Sequence, residues 1–157
     1  MIPQTVAALS QKKTILYPTD TVWGIGGDAT SREVVQKIYN IKQREDHKAL
    51  IVLVASRKML LDYIEALPQA AITLLDSKRP TTVIYPKGIG LAPNLLAGDL
   101  SIGIRIPKNE FCQKLIESFG KPIVSTSANK SGNPTPQSYQ EIESDILDGV
   151  DYIVPLK

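Results

Sequence analysis

The stretch "YPTDTVWGIGGDA", Tyr17 to Ala29, governs how the rest of the chain is read. It holds a proline, two threonines around an aspartate, a tryptophan and three glycines. Gly24, Gly26 and Ala29 match G-x-G-x-x-A, the glycine fingerprint of a dinucleotide fold when it opens a helix directly behind a strand. The helix start reads later, however. Thr30-Ser31-Arg32-Glu33 forms a capping box, in which the Thr30 hydroxyl and the Glu33 carboxylate each satisfy a free backbone N–H. That cap separates the glycines from the helix N-terminus, so no pyrophosphate site is presented there. Ser56-Arg57, not an acidic residue, stands after the next strand. A nicotinamide oxidoreductase is therefore a poor reading, and the glycines read as a turn where backbone passes close to backbone.

Outward from this stretch the chain alternates strands and helices. "KTILYP" reads as a strand ended by Pro18. Val34, Val35, Ile38 and Ile41 share one face of a helix running to Ile41–Lys42. "ALIVLVA" is short and apolar, a buried strand. Ser56 caps a helix carrying Leu60, Leu61 and Ile64, and Pro68 starts one with Ile72, Leu74 and Leu75 inside. "TTVIYP" is a β-branched strand. Lys87 to Leu100 reads as a loop. In "SIGIRIP", Ile102, Ile104 and Ile106 point one way and Ser101, Gly103 and Arg105 the other. Asn109 caps a helix that Gly120 stops. "KPIVSTS" is a strand, Thr135-Pro136 opens a last helix and "DYIV" is a last strand. The hairpin-like pair Thr81–Tyr85 and Ser101–Ile106 argues against a purely parallel sheet. The expectation is an α/β domain with a mixed, twisted sheet.

Composition narrows function. With 157 residues, 43% hydrophobic and 22% charged, the chain suits one globular domain. A net charge of +2 does not demand nucleic acid. No apolar run approaches the roughly 18 residues of a membrane helix, so no membrane partner is expected, and the single cysteine fits a reduced, cytoplasmic setting. One cysteine, Cys112, excludes an internal disulfide and a cysteine-based zinc cluster, and its apolar helical pattern assigns it to the core. His47 is the only histidine and reads as a solvated loop residue, so triads and histidine metal sites lack material. There is no P-loop motif.

The remaining candidates are cations and small polar groups. Lys42 ends a helix, where a cation suits the dipole. Arg44 and Lys48 follow in a loop leading into a buried strand, a place from which they could meet phosphates. Arg105 stands mid-strand opposite the isoleucines and either lies on the surface or fronts a polar cleft, where its fork would suit a carboxylate. Ser125 to Asn129, "STSAN", puts hydroxyls and an amide at a strand's end, a composition that makes either a ligand-reading edge or a plain turn.

Together these pieces resemble the YrdC family of threonylcarbamoyl-AMP synthases. The resemblance runs from "TILYPTDTVWGIGGDA" through "IYNIKQREDHKALIVL", "RPTTVIYP" and "SIGIRIP" to "KPIVSTSANKSGNPTP". It implies one YrdC-like domain over residues 1–157, with an open, concave, basic surface. It implies an ATP-dependent nucleotidyl transfer in which L-threonine, bicarbonate and ATP give threonylcarbamoyl-AMP and pyrophosphate. A downstream threonylcarbamoyl-transferase complex then modifies the adenosine beside the tRNA anticodon. By the same resemblance, Thr21, Arg105 and Ser127 contact threonine. Lys42, Arg44 and Lys48 hold the ATP phosphates, with Lys42 and Arg44 stabilising charge in catalysis, and Ser101 and Asn129 place the nucleotide. Mg²⁺ would accompany ATP, and no resident metal site is implied.

The sequence also departs from the family pattern. Glu45 stands in place of a usual proline, Ser77-Lys78-Arg79 in place of W-P-G, and Gln137 in place of Ser or Thr. The usual C-terminal strand segment is expected to be missing. These departures keep a second reading open: a paralogue acting mainly as an RNA or nucleotide-binding module, with tRNA or double-stranded RNA as partner.

Overall fold

The computed structural model describes residues 1–43 and 50–155. Seven strands form one mixed sheet: β1 (Ile15–Pro18), β2 (Trp23–Asp28), β3 (Ile51–Leu53), β4 (Thr82–Tyr85), β5 (Ile102–Arg105), β6 (Ile123–Ser127) and β7 (Tyr152–Ile153). Their spatial order is β4-β5-β3-β6-β2-β1-β7. β3 runs parallel to β5 and β1 to β7, whereas the other neighbours are antiparallel. The helices among the described residues are α1 (Ile2–Ser10), α2 (Arg32–Lys42), α3 (Arg57–Leu61), α4 (Gln69–Leu75), α5 (Glu110–Phe119) and α6 (Ser144–Gly149). The mixed α/β sheet and the β4–β5 antiparallel pair match the sequence expectation.

Several local readings need correction. The cap of α2 is Ser31, whose hydroxyl accepts from Val34 N; Thr30 instead donates its hydroxyl to Asp28 Oδ1 at 2.7 Å. The acid at Asp28 outcompetes the capping box because it also takes the Thr30 N–H, at 2.8 Å. The glycine stretch is no turn: Gly24, Gly26 and Gly27 lie in β2, an interior strand. Their small size lets neighbours close in. A Cβ on Gly26 would sit 2.6 Å from the Tyr17 ring, and one on Gly27 2.3 Å from Val34 Cγ1. Thr135-Pro136 opens no helix; the next helical residues are a 3-10 turn at Tyr139–Glu141. Leu74 is exposed rather than inside, and Ile64 lies beyond α3 in a bridge to Gly88. α1 was not anticipated, since its Met1 cap offers no side-chain bond.

The sheet buries its two faces unequally. On one face Leu16, Ile25, Val52, Val124, Ile102 and Ile104 pack against α2 and its neighbours through Val34, Val35, Ile38, Leu60 and Ile146. Each such fully buried aliphatic side chain contributes about 1.5–3 kcal/mol. On the other face α1 and α5 cover only part of the sheet, with Leu9, Cys112, Leu115 and Ile116 over Ile15, Tyr17, Leu53 and Ile123. The well-capped α5, with Asn109 accepting from Cys112 N and Gly120 at φ 81°, fixes this cover. The uncovered part of the second face is where ligands can reach.

Candidate active site

Strand register assembles the uncovered face. Directly paired residues point to the same side of a sheet. Gly24 pairs with Ser127, Gly26 with Ser125 and Ser125 with Ile51. Arg105 pairs with Leu53 on one side and Thr82 on the other, and Gly103 pairs with Ile84. Among the described residues, positions distant in sequence thus form one surface where hydroxyls, glycines and the Arg105 guanidinium lie beside Ile51, Leu53 and Ile84.

Two recesses open there. The smaller, about 190 Å³, is lined by Thr19, Thr21, Val22, Gly24, Ile51, Arg105, Ser125, Thr126 and Ser127. Its rim is the tight turn between β1 and β2. Thr19 Oγ1 donates to the Val22 carbonyl at 2.6 Å and accepts the N–H groups of Thr21 and Val22. It also lies 3.1 Å from Thr21 Oγ1, so Thr19 sets where the Thr21 hydroxyl stands. Arg105 supplies the positive charge, its side chain 11% exposed and 3.8 Å from Asp20. Nearby Cys112 stays a neutral thiol: burial pushes it up to about 12, and Asp20 adds to the shift.

The larger recess, about 760 Å³, shares Ile51 and runs over Leu50, Ile84, Leu95, Ile102 and Gly103 to Asp99 and Ser101. Its floor is apolar and suits a flat aromatic ring system. At its polar end Ser101 N donates to Asp99 Oδ1 at 3.0 Å. Hydrogen bonds from Ser101 hold the Asp99 carboxyl below its usual range, so it remains an ionised acceptor. Leu100, at φ 71°, occupies the left-handed region in the turn that delivers Ser101.

The structure sorts the residues expected from the sequence. Thr21, Arg105 and Ser127 meet in the small recess, and Ser101 lies in the large one. Lys42 and Asn129 line neither recess. Lys42 is 3% exposed, and its ammonium donates to the carbonyls of Ser127 and Asn129, each at 2.9 Å. It pins the loop after β6 from below. Asn129 ties that loop to itself, donating to the carbonyls of Lys130 and Asn133. Arg44 and Lys48, like Glu45 and His47, lie outside the described residues. Thr19, Asp20 and Ile51 were not singled out as site residues from the sequence, and Ser125 was read only as part of "STSAN". The D in "PTDT" and the first S in "STSAN" were the available signals.

A half-open mixed sheet with a small polar recess beside a larger apolar one defines the class of α/β domain. Residues 7–157 match the Sua5/YciO/YrdC family, described as "Telomere recombination". The threonylcarbamoyl-AMP synthase of Vibrio parahaemolyticus is 36% identical over 150 residues, which cover 92% of this chain and 80% of that protein. The synthase of Bacillus subtilis is 36% identical over 151 residues, 94% of this chain and 43% of that protein. Among solved structures, P. abyssi Sua5 complexed with L-threonine superposes with a TM-score of 0.86 at 29% identity, over 97% of this chain and 45% of that one. E. coli YciO gives 0.83 at 28% identity, over 97% and 75%. The chain therefore spans under half of two of these relatives and most of the other two. It belongs to the Sua5/YciO/YrdC family.

Proposed function

We propose that this chain is an L-threonylcarbamoyladenylate synthase, joining L-threonine, bicarbonate and ATP into threonylcarbamoyl-AMP with release of pyrophosphate. One observation carries the reading: a recess of about 190 Å³ with hydroxyls and one guanidinium shares Ile51 with a nucleotide-sized apolar recess. The small recess fits an amino acid, and the shared wall brings the two ligands together.

The chemistry follows from the walls. Arg105 binds the threonine carboxylate through its fork. Thr21 and Ser127 meet the side-chain hydroxyl and amine, and Val22 with Ile51 faces the methyl group. A pocket that hydrogen-bonds the hydroxyl rejects valine, whose binding leaves those groups unpaired. The threonine amine adds to bicarbonate with loss of water, giving a carbamate. A carbamate oxygen then attacks the α-phosphorus and pyrophosphate leaves. Among the described residues the lining of the small recess includes no His, Asp or Glu, and its proposed contribution is positioning and charge stabilisation. Ser101 and the ionised Asp99 would order the nucleotide's hydroxyl groups. Lys42 acts from beneath by fixing the Ser127 and Asn129 backbone, while Arg44 and Lys48 are the proposed phosphate contacts.

Among the described residues no group of three His, Cys, Asp or Glu gathers into a metal site. A Mg²⁺ ion carried in by the triphosphate and held by phosphate oxygens and water would offset charge on the leaving pyrophosphate. The product, a mixed anhydride, needs an acceptor, and this reading assigns that step to a transferase acting on tRNA in the cytoplasm. No described helix is long and apolar enough to cross a membrane. Threonine-dependent pyrophosphate release from ATP and bicarbonate, with the adenylate identified by mass, tests the proposal.

A further inference from the structure

We propose that Asp20 is the positioning residue that holds Arg105 ready for a carboxylate ligand. This rests on the reading of Arg105 above and adds a residue to it. Asp20 lies in the turn between β1 and β2, its side chain 8% exposed, facing the Arg105 side chain at 11%. Its Oδ2 accepts the Lys108 N–H at 2.9 Å, so the segment leaving β5 grips the turn that precedes β2. Its Oδ1 stands 3.8 Å from Arg105 Nη2, beyond hydrogen-bonding range.

Two buried polar atoms here have no hydrogen-bond partner: Asp20 Oδ1 and Arg105 Nε. A purely structural pair at this burial would close into a bidentate contact, because unfilled buried polar atoms are costly. This pair stays apart. Asp20 supplies the counter-charge that keeps a cation beneath the recess instead of extending to water, and it takes none of the guanidinium's N–H groups. Those donors remain for a ligand carboxylate entering past Thr21 and Ser127. The same turn carries Asp20 and Thr21, so the aspartate sets the charge and the threonine sets the edge of one recess.

The test is titration calorimetry of L-threonine and of ATP with wild type, Asp20→Asn, Arg105→Ala and the double variant. Asn keeps the size and an acceptor for Lys108 N but removes the charge. The expected result is a threonine Kd raised about tenfold in Asp20→Asn, with ATP affinity unchanged. In the Arg105→Ala background the Asn substitution should change threonine binding no further, because Asp20 acts through the guanidinium. An unchanged threonine Kd in Asp20→Asn overturns the proposal. So does an equal loss for both ligands, the mark of general misfolding, or an effect that persists without Arg105. If wild type binds threonine and Arg105→Ala binds it equally well, the carboxylate reading of the recess itself fails.

Discussion

Replacing Lys42 by methionine separates two roles for this residue, phosphate ligand and buried bolt. Methionine matches the stem in length, so little cavity opens. What is lost includes a pair of charge-assisted hydrogen bonds at 2.9 Å to the carbonyls of Ser127 and Asn129. Ser127 O keeps a bond from Asn129 N at 2.9 Å. The Asn129 carbonyl is the greater loss. Hydrogen bonds to charged groups are worth about 1.5–3 kcal/mol each, and an orphaned buried carbonyl costs about 1–3 kcal/mol. Removing a buried charge recovers part of this through desolvation. The net expectation is a destabilisation of about 3 kcal/mol, or roughly 6–12 °C in the melting midpoint for a chain of this size. Equilibrium urea unfolding with parallel threonine and ATP titrations is the assay. Lys42→Met should be less stable and should weaken threonine binding, because Ser127 stands on the backbone it pins. A variant as stable as wild type that has lost ATP affinity alone would refute this reasoning and return Lys42 to the phosphates.

Gly26→Ala forces a methyl to within 2.6 Å of both the Tyr17 ring and the Val124 carbonyl, and a backbone atom cannot swing aside. It should cost about 2 kcal/mol or more in urea unfolding, and a neutral result would show that β1 and β2 do not approach this closely. Asn109→Ala removes the cap of α5 and should cost about 1 kcal/mol in the same measurement; no change would mean the cap is dispensable. The Cys112 thiol, pushed up to about 12 chiefly by burial, should resist a thiol-specific reagent at neutral pH in the folded protein and react only on unfolding. Its raised value also means that its contribution to stability is complete below about pH 9, the thiol's ordinary value, and is lost as pH rises towards 12. Cys112→Val should flatten that alkaline decline, and an identical decline in the variant would assign it elsewhere.

Much of the fold was legible because local signals and packing agree. Asn109 and Gly120 mark the ends of α5, Ser56 caps α3, and the isoleucines of β5 alternate as the pleat requires. The glycines of β2 misled because their reason is tertiary: the Tyr17 ring and the α2 side chain Val34 need the space. No window of sequence shows those approaches. The α2 cap moved by one residue because Asp28, at the end of β2, engages Thr30 first. In the site, Arg105 was legible as a strand arginine opposite an apolar face. Its partner Asp20, 85 positions away by their numbers, was not. The resemblance gave Lys42 a phosphate role, yet its ammonium donates to the carbonyls of Ser127 and Asn129 at the end of β6 and in the loop beyond it.

The two recesses sharing Ile51 are proposed to join threonine to a nucleotide. The most direct measurement is pyrophosphate release by this chain from ATP and bicarbonate, with and without L-threonine, with the products identified by mass spectrometry. Release that requires threonine, fails with valine and yields threonylcarbamoyl-AMP is the predicted result. Release indifferent to threonine, or no adenylate from protein that binds both ligands, would contradict it.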